Sequence, residues 1–239
     1  YYNGDQACGL IPYANIWYND VAFKNLTISD AYLSTTGYFA SALVGYTYGK
    51  NKKSFTVSNC YVTSTVSVKT TSQYSGGFLG CAADGGDTYT VENSAVLATV
   101  EAKGGYRGTF CGSFSPSNNV TVRNSFAFQS FGSDVDTNEN SYAISDLSAI
   151  KGAAAKTEMP ELKWDSVWVL TDSYPVLKDA KPAHEIWDGS VAKSYAAGSG
   201  TADDPYWIAD GAQLALMLHE GDNSKGKFYT LAAHISLND

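Results

Sequence analysis

Side chains able to do chemistry are sparse in this chain, and their spacing assembles no familiar catalytic set. The three histidines, His184, His219 and His234, all fall in the last third. There is no HExxH motif. The nearest string to a G-x-S-x-G nucleophile elbow is Gly198-Ser199-Gly200-Thr201, which puts the serine directly after the glycine. Asp134, Asp136, Asn138 and Asn140 have the alternate spacing of a calcium-binding loop. Glu139, however, stands where the sharp turn of such a loop needs glycine, and Ser145 stands where it needs a bidentate glutamate. A solvated acidic loop is the expectation, with calcium binding as the alternative. The four cysteines, Cys8, Cys60, Cys81 and Cys111, show no C-x-x-C pair, so zinc is not indicated, and Cys60 and Cys111 read as small buried hydrophobes. No metal and no cofactor is expected. Seventeen tyrosines, with Trp17, Trp164, Trp168, Trp187 and Trp207, offer material for a sugar-binding platform. The last four tryptophans lie in segments read below as closure and cap.

What must position all of these residues is a four-fold repeat in the first half. The segments CGLIPYAN, SALVGYTYG, GGFLGCAADG and GTFCGSFS each precede a second signature, respectively FKNLTISD, VSNCYVTS, VENSAVLA and VRNSFAFQ. The asparagines fall at Asn25, Asn59, Asn93 and Asn124, 31 to 34 residues apart. A fixed period of this size marks a solenoid, whose units bury their apolar faces only against their neighbours. Within a unit the alternation changes parity at the asparagine: Val57 is apolar before Asn59, and Cys60 and Val62 are the apolar or small positions after it. The backbone must bend there, and asparagine tolerates the left-handed conformation better than most residues. Stacked asparagines can also bond to one another, so Asn25, Asn59, Asn93 and Asn124 form a predicted structural ladder, with side chains inside. The columns Phe23/Val57/Val91/Val122, Leu26/Cys60/Ser94/Ser125 and Ile28/Val62/Val96/Ala127 form the predicted core. Lys24, Ser58, Glu92 and Arg123 face outward and supply one carboxylate. Asp84 and Asp87 lie in a loop by themselves, so the paired acids of a carbohydrate-cleaving β-helix are not in evidence. An antiparallel meander with the same spacing is the alternative architecture.

With 239 residues, 44% of them hydrophobic and 17% charged, the chain can form one large all-β domain, with or without an appendage. Sixteen Lys and Arg against 24 Asp and Glu give a net charge of -8, which disfavours nucleic acid as a partner. Only Arg107 and Arg123 are arginines, and no apolar run is long enough to span a membrane. The chain opens with YYNGDQ, without Met or a signal-peptide core. The expectation is upstream processing or excision from a longer protein.

The organisation reads as solenoid repeats over residues 1–131, a closing segment over 132–181 and a cap-like segment over 182–239. In the closing segment, GSDVDTNENS reads as a polar loop, AISDLSAIKGAAAKTEMPEL as a short helix or two, and WDSVWVLTDSYPVLKD as a strand pair. The last segment holds a short strand, PYWIA, and a helix capped by Asp210 with Gln213 at the capping-box position. Its final strand, FYTLAAHISL, places Leu231, Ala233, Ile235 and Leu237 on one side.

The repeats resemble the Gly-rich GLUG repeats of large bacterial cell-surface proteins, including the regions beside immunoglobulin-A protease domains. VWVLTDSYPVLK resembles the segment that closes such arrays. IWDGSVAKSYAAGSGTADDPYWIADGAQLALML, followed by GKFYTLAAHISL, resembles the segment that opens them. The resemblance implies a right-handed parallel β-helix in an extracellular, repetitive surface protein, and it implies no catalytic residues. The expected fold is therefore all-β, a right-handed parallel β-solenoid with a small α/β C-terminal segment. The expected function is a non-enzymatic structural or adhesive module. A glycan-binding adhesin is the alternative, and a β-helix carbohydrate-active enzyme is less favoured. Because the opening segment here follows the closing one, residues 182–239 are expected to cap a solenoid other than their own, with Leu231, Ala233, Ile235 and Leu237 as the donated face. The partner would be a second copy bound head to tail, or the next module of a longer surface protein; host protein or glycan is the further partner class. A groove of aromatics on consecutive rungs would favour the adhesin, and paired carboxylates facing a cleft the enzyme.

Overall fold

The computed structural model describes residues 6–132, 135–178, 187, 189–233 and 235, with the backbone alone for Asp84 and Asp222. Residues 7–128 make four stacked coils, and every strand pairing between coils is parallel. The expected fold class is the one observed: a parallel β-solenoid carrying a small α/β segment at its C-terminus. Five columns of strands run along the stack. The first column is Ala7–Cys8, Phe39–Ser41, Tyr74–Gly76 and Tyr106–Gly108. The second is Ile11–Asn15, Val44–Gly49, Leu79–Asp84 and Cys111–Phe114. The third is Val21–Lys24, Ser54–Ser58, Thr88–Glu92, Asn119–Arg123 and Thr137–Glu139. The fourth is Thr27–Ile28, Tyr61–Val62, Ala95–Val96, Phe126–Phe128 and Tyr142–Ile144, and the fifth is Tyr32–Thr35, Ser67–Thr70 and Thr99–Ala102.

The parity switch has its predicted cause. Asn25, Asn59, Asn93 and Asn124 all sit at positive φ (59°, 52°, 47° and 46°), the left-handed bend between the third and fourth columns. That bend lets residues on both sides of it reach one interior, so Phe23, Val57, Val91 and Val122 are in register and share a core with Ile28, Val62, Val96 and Ala127. Glycine is required where the first column folds back on the second. A Cβ on Gly80 would stand 2.3 Å from the Gly45 carbonyl oxygen, and one on Gly112 would stand 2.4 Å from that of Gly80.

Three findings depart from expectation. First, the stack does not end near residue 131. Thr137–Glu139 pairs with Thr121, Val122 and Arg123, and Tyr142–Ile144 pairs with Phe126–Phe128, so part of GSDVDTNENS is a strand and not a loop. Asn140 (φ 49°) makes a fifth left-handed bend. Second, the ladder is not interior. Asn25 and Asn140 are exposed and Asn59 and Asn93 half-buried; only Asn124 is buried, because the closing segment lies over it. That segment holds a 3-10 turn at Leu147–Ile150, the helix α1 (Ala154–Glu158) and the antiparallel pair Trp168–Val169 with Val176–Leu177. It packs along the outside of the fourth column, where Tyr61, Ala95, Leu97, Phe126 and Ile144 meet Ile150, Met159, Leu162 and Trp168.

Third, the cap-like segment lies on its own first coil. The helix α2 (Gly211–Glu220) is capped by Asp210, which accepts from the Gln213 N–H at 2.8 Å, while Gln213 Oε1 accepts from Ala209 N–H at 2.7 Å. Tyr229–Leu231 pairs in parallel with Tyr206–Ile208, a shorter strand than the alternation predicts. Ile235 is buried with Ile208 and Leu214, Leu10 of the first coil packs against them, and Leu231 reaches the solenoid core. Lys225 sits 5.5 Å from the centre of the Tyr18 ring, a second tie to the first coil. Ala233 is half-buried, and Leu237 lies outside the described residues. The donated face expected for a neighbouring molecule thus rests, through Leu231 and Ile235, on the chain that carries it.

Candidate functional site

A belt of rings lies on the outside of the first two columns. Phe39, Tyr74 and Tyr106 occupy equivalent register positions on successive coils. Phe39 and Tyr74 stack at 5.4 Å between centroids, and Tyr74 and Tyr106 at 4.8 Å, both near the strand spacing. Tyr46 lies 4.5 Å from Phe39, Tyr38 6.1 Å from it, and Tyr13 and Tyr48 each 6.0 Å from Tyr46. The belt so formed touches all four coils. Tyr13, Tyr38 and Tyr106 are 39%, 47% and 50% exposed. The sequence carried a signal for it, since an aromatic residue recurs just before the Gly-rich turn in units two to four; that recurrence was overshadowed by the asparagines.

The polar groups that sequence reading singled out are engaged in the stack. Asn59 Nδ2 donates to Asn25 Oδ1 at 3.2 Å, and Asn124 Nδ2 donates to Asn93 Oδ1 at 2.5 Å. Asn124 Oδ1 accepts from the Lys163 N–H at 2.6 Å, and its carbonyl accepts from Trp168 Nε1 at 3.0 Å, so the ladder also fastens the closing segment. A second ladder escaped the sequence reading. The Ser94, Ser125 and Ser141 hydroxyls accept from the N–H of Cys60, Ser94 and Ser125, each at 3.0 Å. Each also donates to the carbonyl two residues before it. The repeated Asn-Ser pair was the available signal.

The carboxylates do not converge. Glu92 and Arg123 are register neighbours, but the Arg123 guanidinium pairs with Glu139 of the partial fifth coil at 3.1 Å. Asp87 is fully buried and accepts from the Lys53 N–H at 2.9 Å, which ties two coils together; its other oxygen has no partner among the described residues. Asp136 accepts from the Val120 N–H at 2.7 Å, and Asn138 Nδ2 donates to the Ser141 carbonyl at 3.3 Å. Of the four residues with calcium-loop spacing, Asn138 thus lies in a strand, Asn140 at a bend and Asp136 just before the strand; Asp134 lies outside the described residues. Among the described residues no three His, Cys, Asp or Glu side chains gather. His219 is exposed in the last turn of α2, and His184 and His234 lie outside the described residues. All four cysteines are free, and burial pushes the Cys60 and Cys81 thiols up to about 12.

A second aromatic group lies in the cap. Tyr195 and Tyr206 stack at 4.5 Å, with Tyr229 edge-on to Tyr195 at 5.6 Å. Tyr195 and Tyr206 flank a hollow of about 330 Å³ lined also by Lys193, Ser194, Leu216 and Glu220. Glu220 accepts from Lys227 Nζ at 2.9 Å and from Tyr229 Oη at 2.7 Å, and Lys227 lies 5.6 Å from the centre of the Tyr206 ring. Burial alone would push the Glu220 carboxyl up, but the bonds from Tyr229 and Lys227 hold it below its ordinary value. Burial pushes the Tyr195 hydroxyl up to about 12. Lys227 thus occupies the ring cluster and joins the last strand to α2. Of the tryptophans, Trp168 is fully buried and Trp207 is 48% exposed.

No protein-family model matches the chain, and no curated protein matches it. Among solved structures it is similar to a Bacteroides ovatus protein provisionally named an immunoglobulin A1 protease. The identity is 18%, the TM-score 0.39, and the match covers 78% of this chain and 54% of that one. The chain therefore spans about half the length of that protein.

Proposed function

We infer that this chain is a non-enzymatic structural and adhesive module of a larger extracellular bacterial surface protein. The observation that carries the reading is the outward aromatic belt spanning all four coils, in which Tyr38 and Tyr106 stand about half in solvent. Monomeric proteins cover large apolar patches unless a partner does so. The coils supply a rigid, regular support, and their Asn, Ser and Asp side chains bond from coil to coil instead of lining a reactive cleft. The bacterial surface location follows from the resemblance of the repeats and of the closing and opening segments. The rival reading is a hydrolase, and the name of the Bacteroides ovatus protein supplies its most specific form, cleavage of immunoglobulin A1. Incubating the purified chain with human immunoglobulin A1 and with plant and host polysaccharides tests both. Retention without cleavage is expected. Turnover abolished by Glu92→Gln or Asp87→Asn would establish an enzyme.

A further inference from the structure

We propose that the belt is a binding face for neutral glycan, with Tyr106 and Tyr38 as the rings a sugar stacks on. This rests on the adhesive reading above and names its ligand class. The stack of the first column has an open end. Among the described residues the partial fifth coil contributes no strand to that column and no further ring follows Tyr106, which is 50% exposed. Tyr38 is 47% exposed and is tied into the belt through Phe39.

All rings of the belt except Phe39 end in a hydroxyl, so the face alternates apolar surface with groups that both donate and accept. A pyranose matches that pattern, with C–H groups on its faces and hydroxyls around its rim. The outward positions beside the belt are Ser34, Thr71, Gln73 and Thr99, all exposed. The ion pair there, Lys69 with Glu101 at 3.1 Å, neutralises itself. Lys103 and Arg107, exposed at the Tyr106 end, add donors. A protein partner would be expected to meet aliphatic anchors as well. Among the described residues the exposed large aliphatic ones, Val191 and Leu218, lie on the C-terminal segment and not on the belt. The net charge of -8 disfavours a polyanionic glycan.

Calorimetric titration with the hexaoses of β-1,4-glucose, β-1,3-glucose, α-1,4-glucose and β-1,4-mannose, with heparin alongside, tests this on the whole chain. Saturable binding of at least one neutral hexaose is expected. Tyr106→Ala and Tyr38→Ala should each weaken it about tenfold, as truncation of an anchoring ring does. Tyr106→Phe should weaken it less, and Tyr18→Ala, a 61% exposed residue whose ring meets Trp17 and Lys225 of the cap, should leave it unchanged. Melting temperatures near that of the parent show that the variants remain folded. Binding of none of these hexaoses, binding of heparin alone, or binding indifferent to the belt variants overturns the glycan assignment and leaves the adhesive module standing. Cleavage of a hexaose overturns both.

Discussion

Asn124 allows the left-handed bend and the ladder to be separated by experiment. It is 3% exposed, with φ at 46°, and its side chain donates to Asn93 and accepts from Lys163. Replacement by either Gly or Ala removes both hydrogen bonds, a loss of about 1–3 kcal/mol at roughly 0.5–1.5 kcal/mol each. The two substitutions then diverge. Alanine must hold a left-handed backbone at a cost of about 1–2 kcal/mol. Glycine holds it freely but gains conformational freedom in the unfolded chain, which costs about 0.4–1 kcal/mol. Asn124→Gly should therefore be more stable than Asn124→Ala by about 0.5–1 kcal/mol. That order reverses the one expected in an ordinary strand, where glycine is the poorer residue by about 0.5–1 kcal/mol. The exposed strand residue Arg123 supplies the comparison: Arg123→Ala should be more stable than Arg123→Gly. Urea unfolding followed by tryptophan fluorescence resolves the difference, since with a slope of about 2 kcal/mol/M a 1 kcal/mol change moves the midpoint by roughly half a molar. The same order of Ala and Gly at both positions would refute the reasoning, because the asparagine would then not be there for its backbone conformation.

Trp168→Ala should cost about 3–5 kcal/mol and raise hydrogen exchange over residues 142–177 while leaving the Val91 and Val122 strands protected, since Trp168 joins the flank to Phe126 and Asn124. Gly80→Ala should cost about 3 kcal/mol or more by overpacking, visible as a lowered melting temperature, because its Cβ would meet a backbone carbonyl. Thiol labelling of the native protein at neutral pH should be fastest at half-buried Cys8, with Cys60, Cys81 and Cys111 reacting only on unfolding. The cap should loosen at both ends of the pH range. The depressed Glu220 carboxyl contributes stability above its unfolded value near 4.3, lost as pH falls through the lower folded value. The Tyr229 hydroxyl, raised by burial and by its bond to Glu220, contributes stability below about pH 10 that is lost as pH rises. Hydrogen exchange of α2 across pH checks both; loss at neither end would show that this cluster does not hold the cap.

The four-coil core was legible because a bend at one residue type leaves a parity change that no straight strand can produce. The partial fifth coil was not. Its Glu139-Asn140-Ser141 repeats Glu92-Asn93-Ser94, but the register partners Ser125 and Ser141 are only 16 residues apart. A shortened coil breaks the period on which recognition relied, and the alternating acids drew attention to calcium. The side of the bend on which asparagine lies was also misjudged. Left-handed backbone turns its side chain toward the outer surface, while the serine after it bonds between coils. The position of the cap could not be read from periodicity, because an apolar strand face records that it must be covered but not by which coil.

Two aromatic groups on this solenoid point outward, and they have met different fates. On the fourth column Tyr61 and Phe126 face away from the core, and the chain returns to cover them, laying Trp168 4.7 Å from the Phe126 ring and burying it completely. On the first column Phe39, Tyr74 and Tyr106 recur on three successive coils, yet no segment among the described residues returns to them. Stacking between coils explains why rings on the first column stabilise the solenoid. It does not explain why one column is sealed and the other is left with Tyr106 half in solvent. Ring area left in water is unfavourable in proportion to that area, and a closing segment of the kind laid over the fourth column would remove it. An open face is what a module that binds something outside itself requires, and the closing segment, packed along the fourth column, leaves the first column to a ligand.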